Sequence, residues 1–288
     1  MHIRKNCKDL TAVERKRFID AVLEVKSKGV YDDYVRTHAH YFVADGEGGK
    51  RYGHMAPSFL PWHRAMLIDF ENELREVDDR VTLPYWDWTS EQSTTGIPWT
   101  EDFLGGNGRA GDRQVTSGPF AHRAGRWDIN VQVTNDPFLM RDFGGWNNGV
   151  SLPGPADLEE ALSDARYDSY PYDSTATTTG FRNKLEGWTV GQDVGWKLHN
   201  RVHAWAGGQM TGGSSPNDPV FWLHHCFIDL IWTRWQERHK DVPQYLPEKP
   251  IAAGDSQHGR VLSLDEKLTP WDVTPRQMLD HTGFYRYA

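Results

Sequence analysis

The chain has 288 residues, 38% of them apolar and 25% charged, a balance that fits a soluble globular fold and excludes a disordered chain. A formal net charge of −8 argues against a surface for nucleic acid or anionic lipid, and no apolar run approaches the length of a membrane span, so neither nucleic acid nor membrane is expected as a partner. Thirteen Trp, twelve Phe and eleven Tyr supply apolar area for a sizeable core.

In chain order, the start MHIRKNCKDLTAVERKR has no apolar stretch of the kind a secretory signal needs, so no signal of its own is expected. Thr11 with Glu14 reads as a capping box, Phe18, Val22 and Val25 give the helix after it a buried side, and Gly29 ends it. A second helix is expected from about Tyr31 to Ala44. Its inward stripe is Tyr31, Val35, His38 and Phe42, where an imidazole takes an apolar place. His40 lies off that stripe, on the surface. A Gly-rich charged loop follows, Asp45 to Gly53, and His54 comes after it with no periodicity around it, so it is expected to project from a loop. Pro61 suits the first position of a third helix, whose inward stripe is His63, Leu67, Phe70, Leu74 and Val77. Arg64, Asp69, Glu73 and Glu76 read as its solvated face.

The segment LPYWDW, residues 83–88, reads as short, extended and buried. Residues 89–185 are less regular: GRWDINVQV (125–133) is a candidate strand and Ala156–Leu162 a short helix. A span this long without clear helices suggests insertions wrapped on a helical core rather than a second domain. From Trp196 to Trp235 the pattern sharpens. His199 and His203 are four apart and share one helix face with Trp196 and Ala206. Asn217 or Asp218 can cap the next helix, with Pro219 at its first position. Phe221, His225, Ile228, Trp232 and Trp235 form its buried row. Val220, His224, Phe227 and Ile231 form a competing one, and periodicity only mildly favours His225 over His224. Beyond His239 the chain is Pro-rich coil, with an aromatic tail expected to dock. Cys7 and Cys226 make no disulfide framework, and Cys226 reads as a small buried hydrophobe.

A lone histidine on an apolar stripe is usually a core residue with one satisfied hydrogen bond. Several on adjacent helices would each need a partner, at a cost on the order of 1–3 kcal/mol when one is missing, and shared metal ions satisfy all of them. PSFLPWHR and DPVFWLHH echo each other, each preceded by a helix with an inward histidine, which suggests two half-sites of three imidazoles. The fold expected is mainly α: a four-helix bundle core holding a dinuclear site, with loops and a few short strands around it. No carboxylate lies on the histidine stripes. Two-metal hydrolases usually need Asp or Glu to bridge their ions, and non-haem iron oxygenases use two His and one carboxylate. Three-imidazole sites suit Cu(I), and two such ions can jointly give two electrons to O2. Two copper ions therefore fit best, with a zinc pair as the weaker alternative.

HNRVHAW, SPNDPVFWLHH and PSFLPWHR, with His38 and LPYWDW, resemble the type-3 copper proteins, most closely the Streptomyces-type bacterial tyrosinases, over nearly the whole chain. The resemblance implies one tyrosinase-like copper domain over residues 1–288. It implies that His38, His54 and His63 hold the first copper and His199, His203 and His225 the second, with His224 beside them. It implies hydroxylation of monophenols to o-diphenols with O2 and oxidation of these to o-quinones, as in melanin-type pigment formation. Asn200 and Glu186 match the pair that orders a water to take the phenol's proton. Ala204 is smaller than the Val common at its place, which would widen the mouth of a substrate pocket that also includes Met55. The segment TVGQDVGWK before His199 is longer than is usual in the family, and Tyr52 stands where fungal relatives have the Cys of a Cys–His thioether. A small copper-delivering caddie protein is the partner the resemblance implies. The competing expectations are an o-aminophenol or catechol oxidase with weak hydroxylation, an O2 carrier like haemocyanin, and a dinuclear hydrolase. The carrier would need a shielding domain, for which the about sixty residues after His225 leave little room.

Overall fold

Seven α-helices carry the described part of the chain, which in this computed structural model comprises residues 2–42, 49–122, 126–131, 136–145, 149–172, 180–188 and 197–288. Helix α1 (Ala12–Ser27) starts where Thr11 and Glu14 cap each other: the Glu14 amide donates to Thr11 Oγ1 at 3.2 Å and the Thr11 amide to Glu14 Oε2 at 2.8 Å. Gly29, at φ +80°, then turns the chain into α2 (Val30–Phe42). The expected end of α2 at Ala44 lies outside the described residues. His54 does come from a loop, and His40 is exposed.

Helix α3 (Phe59–Val77) begins two residues before Pro61, which sits within the first turn, where a missing N–H breaks no intrahelical bond. Its stripe of His63, Leu67, Phe70 and Leu74 is buried as expected, while Val77, the last expected member, is only partly buried at the helix end. The solvated face needs correction at Arg64, which is fully buried. Its guanidinium donates to Asp229 Oδ1 at 2.5 Å, to the Met278 carbonyl at 2.7 Å and to Thr233 Oγ1 at 3.2 Å. The C-terminal segment covers that side of α3, and helical period alone carries no trace of it.

Helices α4 (Pro155–Leu162), α5 (Phe181–Glu186), α6 (Leu198–Ala206) and α7 (Val220–Arg238) complete the set. Trp196, expected on the α6 stripe, lies outside the described residues. At the start of α7, Asp218 Oδ1 accepts the Val220 amide at 3.1 Å, and Pro219 sits just before the first helical residue. α3 packs against both α1 and α7, and α7 also receives α6 and α4. One apolar core runs through all of this, with members from Cys7 to Tyr285 and the Phe70 and Trp222 rings stacked 3.6 Å apart at its centre.

The candidate strand over 125–133 does not form in its described part, 126–131. Trp127 and Ile129 are buried, but Trp127 packs edge-on to Tyr31, Ile129 bonds Pro137, and Asn130 reaches Asp32. The apolar alternation there anchors a loop, because no neighbouring strand offers a ladder. LPYWDW is extended and buried: the Cys7 amide donates to the Tyr85 carbonyl at 2.7 Å, the Tyr85 amide to the Lys5 carbonyl at 2.9 Å, and Trp86 and Trp88 are fully enclosed. The one sheet among the described residues joins β1 (His2–Arg4) in parallel with β2 (Tyr285–Tyr287), His2 facing Tyr285 and Arg4 facing Tyr287. The aromatic tail is thus docked. No described helix is long and apolar enough to cross a membrane.

Candidate metal centre

Seven histidines meet in two abutting groups. His38 from α2, His54 from its loop and His63 from α3 place ligand atoms within 4.8 Å of one another, as do His199 and His203 from α6 with His224 and His225 from α7. The groups touch where His63 stacks on His225, centroids 4.2 Å apart and planes 12° from parallel. Neither group contains a carboxylate or a thiol. Cys226 is buried elsewhere on α7, its thiol pushed up by burial.

Backbone carbonyls fix the tautomer of three rings. His38 Nδ1 donates to the Gly213 carbonyl at 2.6 Å, His63 Nδ1 to Phe59 at 2.9 Å and His203 Nδ1 to Met210 at 2.6 Å. A carbonyl only accepts, so each of these rings carries its proton on Nδ1 and a lone pair on Nε2. His199 Nδ1 lies 2.9 Å from Asn200 Oδ1 and 3.3 Å from the Glu186 carbonyl, with the same consequence. The Nε2 atoms of His38, His63 and His199 are buried with no hydrogen-bond partner among the described residues. His203 Nε2 and His225 Nε2 face each other at 3.4 Å. His224 has neither ring nitrogen hydrogen-bonded among the described residues and stacks on His199 at 5.1 Å.

Burial holds His38 down to about 3 and His203 to about 4. It holds His54, His63, His199, His224 and His225 well below the ordinary imidazole value, with neighbouring imidazoles adding to the effect. All are neutral at pH 7, and the Nε2 lone pairs of His38, His63 and His199 have no partner among the described residues. Such atoms fit metal ions that prefer imidazole, and the carbonyl bonds behind them orient the rings as second partners of ligating histidines do.

A cavity of about 260 Å³ opens above the histidines. His54, His199 and His203 form its floor; Phe42, Trp188, Asn200, Ala204, Met210, Thr211 and Gly212 form its wall. A larger cavity of about 620 Å³, beside Trp99 and Phe143, contains none of the histidines. Of the two residues expected to shape the pocket, Ala204 lines this cavity and Met55 does not. Met55 sits at φ +56° and its amide donates to Glu186 Oε1 at 2.6 Å.

Glu186, the last residue of α5, is fully buried. Oε1 also accepts Trp188 Nε1 at 2.9 Å, and Oε2 accepts Arg182 Nη1 at 2.6 Å. Arg182 in turn binds Asp168 Oδ2 at 2.7 Å. Burial raises the Glu186 pKa against the pull of Arg182 and the N–H donors. The long segment before His199 leaves Glu186 in place, because the Lys197 amide donates to the Gly187 carbonyl at 3.0 Å and closes that segment at its root. Gly187 has to be glycine: its φ is +92°, and a Cβ would stand 1.9 Å from the Lys197 carbonyl oxygen. Asn200 lines the cavity, its Nδ2 buried without a partner among the described residues. Sequence reasoning missed the Asp168–Arg182 support and the wall residues Phe42, Trp188, Met210, Thr211 and Gly212. The four-residue spacing of Arg182 and Glu186 was the available signal for the first.

Residues 28–238 match the common central domain of tyrosinase. The chain is 50% identical to the tyrosinase of Streptomyces antibioticus, with 100% of this chain and 99% of that protein aligned. The chain belongs to the tyrosinase family. At 45% identity it is also similar to the grixazone synthase of Streptomyces griseus, again over 100% of this chain and 99% of that one. Among solved structures, a polyphenol oxidase from Thermothelomyces thermophila superposes with a TM-score of 0.70 at 22% identity, covering 100% of this chain and 89% of that chain, which shows a shared fold. As a tyrosinase-family member whose histidine groups can bind two copper ions, the chain is a type-3 copper oxidoreductase that oxidises phenols.

Proposed function

We propose that His38, His54 and His63 hold one copper ion and His199, His203 and His225 the other, within a single domain over residues 1–288. In this reading the enzyme hydroxylates monophenols to o-diphenols and oxidises these to o-quinones with O2. The observation that carries it is the pair of buried, neutral imidazole groups directly beneath a cavity sized for one aromatic ring. Once bound, the copper pair supplies the two-electron chemistry with O2. His225 is preferred to His224 because its Nε2 faces that of His203 and its ring stacks on His63, at the junction of the two groups.

The protein's own part is to bind the ring, exclude bulk water and take a proton. Phe42 and Trp188 line the cavity, and a phenol seated in it must lose its hydroxyl proton. Asn200 Nδ2 can hold a water in the cavity. Glu186 keeps one free lone-pair site, since three of about four are filled by Met55, Trp188 and Arg182. Together they make the proton acceptor. The small Ala204 leaves room beside the ring for an ortho substituent, which supports o-aminophenol or catechol oxidation as the second reading. Delivery of copper by a small partner protein belongs to the same reading, because the ligand nitrogens are buried and an ion must pass the cavity to reach them.

Metal analysis and turnover of p-cresol, catechol and o-aminophenol test this. His203→Ala and His225→Ala are each expected to hold about one copper per chain instead of two and to lose at least about 100-fold in turnover. His224→Ala is expected to keep both ions. Two ions and intact oxidation in His225→Ala would refute the assignment. Oxidation of o-aminophenol without hydroxylation of p-cresol would favour the second reading.

A further inference from the structure

The described wall of the cavity carries no charge. Among the described residues it is built from Phe42, Trp188, Met210 and Ala204, with Asn200 and Thr211 as neutral polar positions. Arg51, three residues before His54, is buried and does not line the cavity, and the cations near Trp188 and Asn200 in sequence are engaged elsewhere. Arg201, next to Asn200, donates to the Ser151 carbonyl at 2.6 Å and to Ser151 Oγ at 2.5 Å. Lys197 reaches Glu160 at 3.5 Å, and Arg182 lies buried between Asp168 and Glu186. The sequences 43–48 and 189–196, which follow Phe42 and Trp188, contain no Lys or Arg, and the chain as a whole carries −8.

A phenol with an anionic ring substituent would therefore shed part of its hydration against a wall that, among the described residues, offers no counter-charge, and would approach a chain of net negative charge. A neutral or cationic substituent meets neither penalty. We infer that this site selects by charge: its substrates are phenols, catechols or o-aminophenols with neutral or cationic ring substituents, and carboxylate-bearing phenols are poor substrates. Tyrosine, which carries both signs, falls between. The inference rests on the phenol-oxidase reading of the same site.

A matched series tests it on the copper-loaded enzyme: 3-(4-hydroxyphenyl)propionate, its methylamide and tyramine. The acid is expected to show kcat/KM about tenfold or more below the methylamide, chiefly through KM, while tyramine equals or exceeds it. Gly212 supplies the complementary variant, because a Cβ there meets nothing within 4 Å and the position lines the cavity. Gly212→Lys is expected to raise the acid-to-amide ratio about tenfold, and Gly212→Gln, of similar length without charge, to leave it unchanged. Acid and amide turned over within about twofold of each other by the unmodified enzyme would overturn charge selection. So would identical ratios in the Lys and Gln variants. If none of the three compounds were oxidised, the phenol-oxidase reading itself would fall, and charge selection with it.

Discussion

Glu14 shows how much a single residue settles locally. The Lys5 ammonium, 2.5 Å away, and then the Thr11 amide hold its carboxyl at about 2, below its ordinary value of 4.5. The folded value lies below the unfolded one, so the carboxylate stabilises the fold fully above about pH 4.5 and loses that contribution as pH falls towards about 2. Because the pair is partly exposed, the contribution is about 0.5–1 kcal/mol. Glu14→Gln keeps the capping geometry and removes the charge. Its Tm is expected to lie about 2 °C below that of the unmodified chain at pH 6, and the gap to close by about pH 2. The capping box was legible because its partners are three residues apart. Periodicity did not separate His224 from His225, because both fall on apolar rows of a helix buried nearly all round; the family resemblance favoured His225, whose contacts with His203 and His63 agree with that choice.

At the scale of elements, α3 and α7 are joined behind the histidines by a buried ion pair. Arg64 follows His63, Asp229 lies one turn beyond His225, and they meet at 2.5 Å with side chains 0% and 3% exposed. This contact makes the spacing of the two histidine-bearing helices depend on a charge pair. Arg64→Met leaves Asp229 with Arg4 at 3.6 Å and two tyrosine hydroxyls, and is expected to cost about 3–5 kcal/mol in denaturant unfolding. Arg64→Met combined with Asp229→Leu is expected to cost less than Arg64→Met alone, because no buried charge is then left with its main partner missing. An equal or larger loss in the double variant would show that Asp229 draws its support from elsewhere. The helices themselves were readable from their 3.6-residue period. The inward turn of Arg64 was not, because period reports which face is apolar and not which charges find partners across the fold.

Over the whole molecule, the two ends of the chain close the same network. Arg4 on β1 binds Glu71 Oε2 of α3 at 3.0 Å, while Tyr285 and Tyr287 on β2 donate to Asp229 of α7. Removing residues 281–288 takes away both tyrosines and the strand that pairs with β1, and uncovers Asp229 and Arg4. The truncated chain is expected to melt about 10 °C lower and to release copper faster to a chelator, measured by thermal unfolding and by metal loss over time. An unchanged Tm would mean that the tail only rests on the bundle. The amino-acid sequence by itself determined the helices other than α5, the inward histidines and the preference for copper, since these depend on side-chain type and on spacing within a few turns. Only the tertiary structure decided that Arg64 is buried, that Asp168 and Arg182 hold Glu186, that Met55 is not among the described residues lining the cavity and that those residues are uncharged. Each of those depends on segments far apart in the chain meeting in space, and local periodicity carries no record of such meetings.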